Sequence, residues 1–349
     1  MKTIAAIFLF IFVLTQNTFS QDTIKSIPKI GLVLSGGGAK GFAHIGVLKV
    51  LEQAGVKIDY IGGTSMGAVV GGLYASGYSA TQIDSIFRTI NFDNLLQDFI
   101  PRTSKNFYEK RNDDLYAFVL PFYKLKIGIP EALSKGIYNY NLLSNATRSV
   151  RHIRDFNELK IPFLCMATNI ETGEPVTLNK GNLAYAMIAS SAFPTLFSPV
   201  ELNGMLLVDG GVANNYPVEE VRKMGADIII GVDVQDGLKT RDSLKEATQI
   251  LLQISNLQMI KGMQGKINKT DIYIKPDISG YSVISFDEEN EIIKKGEDAA
   301  LKVVDKLNKI GQINKQSKKL NSNNDGIQIT KLTINDVNDY TYSYIVGKL

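Results

Sequence analysis

The stretch GLVLSGGGAKGFAHIGVL, residues 31–48, decides the fold. An apolar run leads into a glycine cluster, and apolar residues at helical spacing follow. Glycine loses more backbone freedom on folding than any other residue. A loop built on Gly36, Gly37, Gly38 and Gly41 therefore points to backbone N–H groups brought close to a phosphate or an oxyanion. The same rhythm recurs along the chain. KIGLVLS (29–35), KIDYIGG (57–63), IPFLCMATNI (161–170) and ADIIIGVDV (226–234) read as buried strands. FAHIGVLKVLEQAG (42–55) and MGAVVGGLYASG (66–77) read as helices, the second rich in small residues. Strands alternating with helices predict an α/β protein with a mainly parallel sheet.

Composition bounds the rest. The chain has 349 residues, of which 44% are hydrophobic, and a formal net charge of +3. That content supports a core, and so small a charge argues neither for nor against a nucleic-acid partner; no motif calls for one. The single cysteine, Cys165, excludes an intrachain disulfide. Residues 1–20 have the form of a signal peptide: Lys2, an apolar core over 4–14, then Thr18 and Ser20 before an expected cleavage. A core this short falls well below the ~20 residues that span a bilayer. The expected location is the periplasm, the outer membrane or the exterior, and cleavage would leave about 330 residues, room for one large domain or two ordinary ones.

One large unit is expected over 28–310. Within it, residues 95–140 break the β–α rhythm. Aromatic residues such as Phe107, Tyr108, Phe122 and Tyr123 alternate there with Lys105, Lys110 and Arg111. That composition fits a peripheral subdomain, or a cover over an apolar pocket that meets a membrane surface. Residues 311–326 read as a polar linker. Residues 327–349 read as one strand and one helix, too few to bury their apolar faces alone.

Two motifs carry chemistry. Gly36, Gly38 and Gly41 fit the dinucleotide pattern G-x-G-x-x-G, which is weak evidence by itself. That reading wants an acid at the end of the next strand. Asp59 lies inside KIDYIGG instead, so a nicotinamide-dependent oxidoreductase is the weaker alternative. The next strand ends in GTSMG, where Gly63, Ser65 and Gly67 match G-x-S-x-G between a strand and a helix. The glycines allow a sharp turn that presents Ser65 at its tip, at the positive end of the following helix.

A nucleophilic serine needs a base. The chain has two histidines, His44 and His152. Neither follows an acid in the second half, where a triad histidine belongs, so both read as structural, and replacing either by alanine is expected to leave activity. GMLLVDGGVANNYP (204–217) offers Asp209 at the end of a short apolar strand, before Gly210 and Gly211. A plain Asx turn would look the same; beside a serine elbow without a histidine, the base is the better reading. Lys40 is either a surface residue or a phosphate-facing cation beside the loop. No His/Cys/Asp cluster has metal-ligand spacing, so no metal or other cofactor is expected.

Gly36-Gly37-Gly38-Ala39-Lys40-Gly41, Gly63-Thr64-Ser65-Met66-Gly67 and Asp209-Gly210-Gly211, in this order, resemble the patatin-like phospholipases. The likeness runs from about Ile30 to Leu307. It implies a three-layer α/β/α fold and hydrolysis of the acyl esters of lipids or phospholipids. Carried over residue by residue, Ser65 is the nucleophile, Asp209 the base, and Gly36 to Gly38 the oxyanion hole. Lys40, Gly41, Gly63, Gly67, Gly210 and Gly211 support those motifs. Many relatives have a glycine near Thr195, where this chain does not. Some exported relatives display the hydrolase outside an outer-membrane barrel in the same chain. Residues 327–349 resemble the opening of the POTRA module that precedes such barrels, so a truncated chain with a barrel in its parent is expected. A catalytically silent adaptor with this fold is the other alternative.

Overall fold

The computed structural model describes residues 27–98, 134–238 and 247–320, with short pieces between them. The leader at 1–20 and the module at 327–349 lie outside the described residues, as does most of the segment at 95–140.

Eight strands form one sheet: β1 (Ile30–Leu34), β2 (Tyr60–Thr64), β3 (Phe163–Asn169), β4 (Pro175–Leu178), β5 (Val200–Leu202), β6 (Met205–Asp209), β7 (Ile228–Val232) and β8 (Ile272–Ile274). Their order is β8-β7-β1-β2-β3-β6-β5, with β4 also paired to β3. The pairs from β8 to β3 are parallel, and those of β4, β5 and β6 are antiparallel. The sheet is thus mostly parallel, as the β–α rhythm predicts.

The period of two along β1 divides the core. Ile30, Leu32 and Leu34 face the larger apolar cluster, while Val33 faces a smaller one with Val218, Val221 and Ile229. Helices cover both faces, which makes three layers. On the larger side lie α1 (Phe42–Gln53), α2 (Met66–Ala75) and α3 (Ala80–Arg88). The short α4 (Phe92–Leu96) and α5 (Ile137–Ala146) follow, then α6 (Leu183–Ser191). On the smaller side are α7 (Val218–Lys223) and α8 (Ala247–Asn268), whose Met263 packs there. The chain returns to the larger side with α9 (Glu289–Leu301) and α10 (Val304–Leu320).

Helix α10 revises one boundary. The linker expected from residue 311 does not begin there, because the helix continues to Leu320. Leu307 and Ile310 are buried, and Gly311 sits against the Ala54 carbonyl. Past Gly311 the run is rich in Lys and Gln with no proline, and those are adequate helix formers even where apolar residues are few.

The register places the site. Met166 lies opposite Thr64 on one flank and Thr177 on the other; Ala167 lies opposite Asp209 and Val176. Since β4 holds one flank of β3, β2 and β6 meet end to end along the other. They run toward each other, so the residue after β2 confronts the last residue of β6.

Candidate active site

Ser65 is the residue after β2, and Asp209 is the last residue of β6. The Ser65 Oγ–H donates to Asp209 Oδ2 at 2.5 Å. The elbow is strained: Ser65 has φ 55 and ψ −125, a conformation that costs a non-glycine residue ~1–3 kcal/mol. Its surroundings hold it there. The Ser65 N–H donates to Ser190 Oγ at 3.1 Å, and Ser190 Oγ–H donates to the Met166 carbonyl at 2.5 Å. Gly67 runs so close to β1 that a Cβ there would stand 2.3 Å from the Leu34 carbonyl oxygen. Helix α2 starts at Met66, so the positive end of its dipole lies at Ser65.

Asp209 is 3% exposed, and Ser65 is 9% exposed. Burial pushes the Asp209 carboxyl up to about 6, against the opposing pull of its hydrogen bonds from Ser65 and from the Gly211 N–H. The Asp209 carbonyl accepts from Thr168 Oγ1 at 3.0 Å, and Thr168 Oγ1 in turn accepts from the Ala213 N–H. The strand end and the turn of Gly210 and Gly211 are therefore held as one piece. A Cβ at Gly210 would stand 2.2 Å from the Met166 carbonyl oxygen, which requires glycine there.

The glycine loop borders the same point. A Cβ on Gly36 would fall 2.8 Å from the Ser65 Cβ, and one on Gly41 would fall 2.2 Å from the Met66 Cγ. Gly38 has φ +57, and its α-carbon is pressed against the Val283 carbonyl, so the loop requires glycine on both counts. The three expected oxyanion donors are not equivalent. The Gly36 N–H donates to Asn215 Oδ1 at 3.0 Å. Among the described residues, the N–H groups of Gly37 and Gly38 have no protein acceptor. Gly36 is thus an anchor of the loop, and the two residues after it carry the unused donors.

Lys40 departs from the surface expectation. It is 1% exposed, and its Nζ pairs with Asp236 Oδ2 at 2.6 Å. The loop folds its side chain inward to meet the segment after β7. A surface position is excluded, and the cation is neutralised by a carboxylate. His44 is fully buried, with its Nε2–H on the Ser35 carbonyl at 2.8 Å, and burial lowers its pKa to about 4. His152 is exposed in a turn after α5. Asp59 stands just before β2, at the end of the sheet opposite the glycine loop, and accepts from the Ile30 N–H at 3.0 Å. That position is wrong for a ribose contact, which weakens the dinucleotide reading. Among the described residues, no cluster of His, Cys, Asp and Glu could hold a metal.

Three contributors went unread in the sequence. Ser190 braces the Ser65 backbone, Asn215 holds Gly36, and Thr64 Oγ1 donates to the Asn214 carbonyl at 3.0 Å. Their only signal was adjacency: Ser190 lies in ASSAFPTLFSPV and Asn215 lies six residues past Asp209. Thr195, in the same stretch as Ser190, adopts φ 75, the left-handed conformation that favours glycine.

Fold and site together define an α/β protein with a serine elbow, an aspartate in contact with it and a glycine loop alongside. Residues 32–222 match the family model described as patatin-like phospholipase. The chain belongs to that family. It is 30% identical over 300 residues to the lysophospholipase NTE1 of Candida glabrata, covering 79% of this chain and 16% of that protein. An uncharacterized NTE family protein of Mycobacterium bovis is 31% identical over 210 residues, covering 60% of this chain and 50% of that one. The chain therefore spans half or less of the length of these relatives. Among solved structures, VipD from Legionella pneumophila aligns with a TM-score of 0.42 at 17% identity, over 80% of this chain and 67% of that one. Human GIVD cytosolic phospholipase A2 aligns with a TM-score of 0.43 at 12% identity, over 82% of this chain and 59% of that one.

Proposed function

We propose that this protein hydrolyses the acyl esters of lipids through a Ser65–Asp209 dyad. The observation that carries the reading is the 2.5 Å bond from a strained, reachable serine to a buried carboxylate. Asp209 Oδ2 accepts the Ser65 proton as Oγ attacks the ester carbonyl, forming the Oγ–C bond. The carbonyl oxygen becomes an oxyanion, stabilised by the N–H groups of Gly37 and Gly38. When the intermediate collapses, the ester C–O bond breaks and Asp209 returns the proton to the leaving alcohol. Water then attacks the acyl-serine as Asp209 takes its proton; the Oγ–C bond breaks, Asp209 returns the proton to Ser65 Oγ, and the fatty acid leaves. An ordinary carboxylate, pKa ~3.9, is a weak base for this; burial brings Asp209 closer to the range that proton transfer at neutral pH favours.

Family membership and the lysophospholipase name of the Candida glabrata relative support a lipid ester, and lysophospholipid is the first substrate to try. Residues 1–20 support export. A fluorophosphonate probe tests the nucleophile. Its phosphorus should bond to Ser65 Oγ with loss of fluoride, as mapped by peptide mass spectrometry. Labelling should vanish in Ser65→Ala and slow by at least 100-fold in Asp209→Asn. A stable adduct on Ser190 or Ser191 in place of Ser65 would overturn the assignment.

A further inference from the structure

Why does a neutral histidine lie buried beside the glycine loop with one nitrogen bare? His44 Nε2–H donates to the Ser35 carbonyl at 2.8 Å, and among the described residues its Nδ1 has no partner. The bond it makes falls on the peptide that enters Gly36. A peptide unit is planar and trans, so its C=O and N–H point in opposite directions. With the Ser35 carbonyl turned to His44, the Gly36 N–H must face the other way. It does, toward Asn215 Oδ1 at 3.0 Å.

Asn215 then acts on the next peptide. Its Nδ2–H donates to the Gly36 carbonyl at 3.2 Å. By the same planarity, fixing that carbonyl fixes the direction of the Gly37 N–H, which points away from Asn215. Both side chains are buried, at 0% and 5% exposure, so neither bond competes with water. Asn215 also belongs to the segment that leaves Asp209, and its neighbour Asn214 is tied to Thr64 just before the nucleophile. The device links the loop, the base and the elbow.

We infer that His44 and Asn215 are positioning residues that aim the Gly37 N–H at the oxyanion. This inference rests on the hydrolase reading above. Neither side chain touches the reacting atoms. Their effect passes through two consecutive peptide planes, and it should be felt where negative charge develops on the carbonyl oxygen.

A thionoester isolates that effect, because sulfur in place of the carbonyl oxygen is a weak hydrogen-bond acceptor. Steady-state rates of the full chain are to be measured on a short aryl ester and on its thiono analogue. Wild type should prefer the oxygen ester. In contrast to the expectation from sequence that His44 is dispensable, Asn215→Ala and His44→Leu should lower kcat on the oxygen ester by roughly 10- to 100-fold, below the cost of deleting a donor outright, with KM little changed. On the thionoester they should fall much less, so the oxo/thiono ratio shrinks. Asn215→Asp keeps the volume and loses the Nδ2 donor, so it should shrink the ratio too. His44→Gln can still donate an Nε2–H to Ser35 and should keep the ratio near wild type. Loss of folding alone lowers both rates in parallel, and a parallel fall or an unchanged ratio in the folded variants would overturn the inference. A wild type inert on both esters would overturn the hydrolase reading, and this inference with it.

Discussion

In the proposed mechanism Asp209 must be buried to become a useful base, and burial of a carboxylate is costly. Its pKa of about 6 expresses both facts. As a base it must be ionised, so kcat/KM on a soluble ester should fall as pH drops through about 6, with the slope of a single proton. The sign for stability is the opposite of an ion-paired carboxylate. The folded pKa lies above the unfolded one, so folding gains nothing from this group below about pH 3.8 and is progressively penalised as pH rises to 6. Above pH 6 the penalty is complete, on the order of 3 kcal/mol. Asp209→Asn is therefore expected to lose turnover while gaining stability at pH 8, with the gain gone near pH 4. Urea unfolding at the two pH values checks it. A variant less stable than wild type at pH 8 would contradict burial as the cause of the shift.

At the scale of elements, the site depends on β2 and β6 meeting head to head, and on helices close enough to leave the sheet ends undistorted. Helices α1 and α9 cross through reciprocal glycines. A Cβ on Gly46 would fall 2.0 Å from the Ile293 carbonyl oxygen, and one on Gly296 would fall 2.0 Å from that of Ala43. Gly46→Ala must push the helices apart, and should lower stability by ~1–3 kcal/mol despite alanine's better helix propensity. Thermal unfolding with an unchanged midpoint would refute this. The strands and helices that position the motifs were legible in the sequence because each is a local pattern: an apolar run, a glycine cluster, a period of 3.6. The antiparallel course of β6 was not, since register is set by partners about 40 residues distant in the chain. Likewise Asn215 is 179 residues from Gly36 and Ser190 is 125 from Ser65. Nothing local marks them. The burial of Lys40 was not legible for the same reason, because its counter-ion Asp236 lies in the segment after β7.

Over the whole molecule, three motifs spread between Gly36 and Gly211 converge on one end of a mostly parallel sheet. The strand order brings this about: β1 sits beside β2, and β6 continues the edge of β3 where β2 stops. The helical layers then bury Asp209 almost completely while leaving Ser65 within reach of a carbonyl. Among the described residues no helix is long and apolar enough to cross a membrane. The most direct measurement is product analysis by mass spectrometry after purified protein meets vesicles of lysophospholipid or diacyl phospholipid at pH 7.5. Wild type should release free fatty acid in amounts exceeding the enzyme present, and Ser65→Ala and Asp209→Asn, both folded, should release none above background. Fatty acid released by Ser65→Ala at the wild-type rate, or no ester cleaved by well-folded wild type, would contradict the Ser–Asp account.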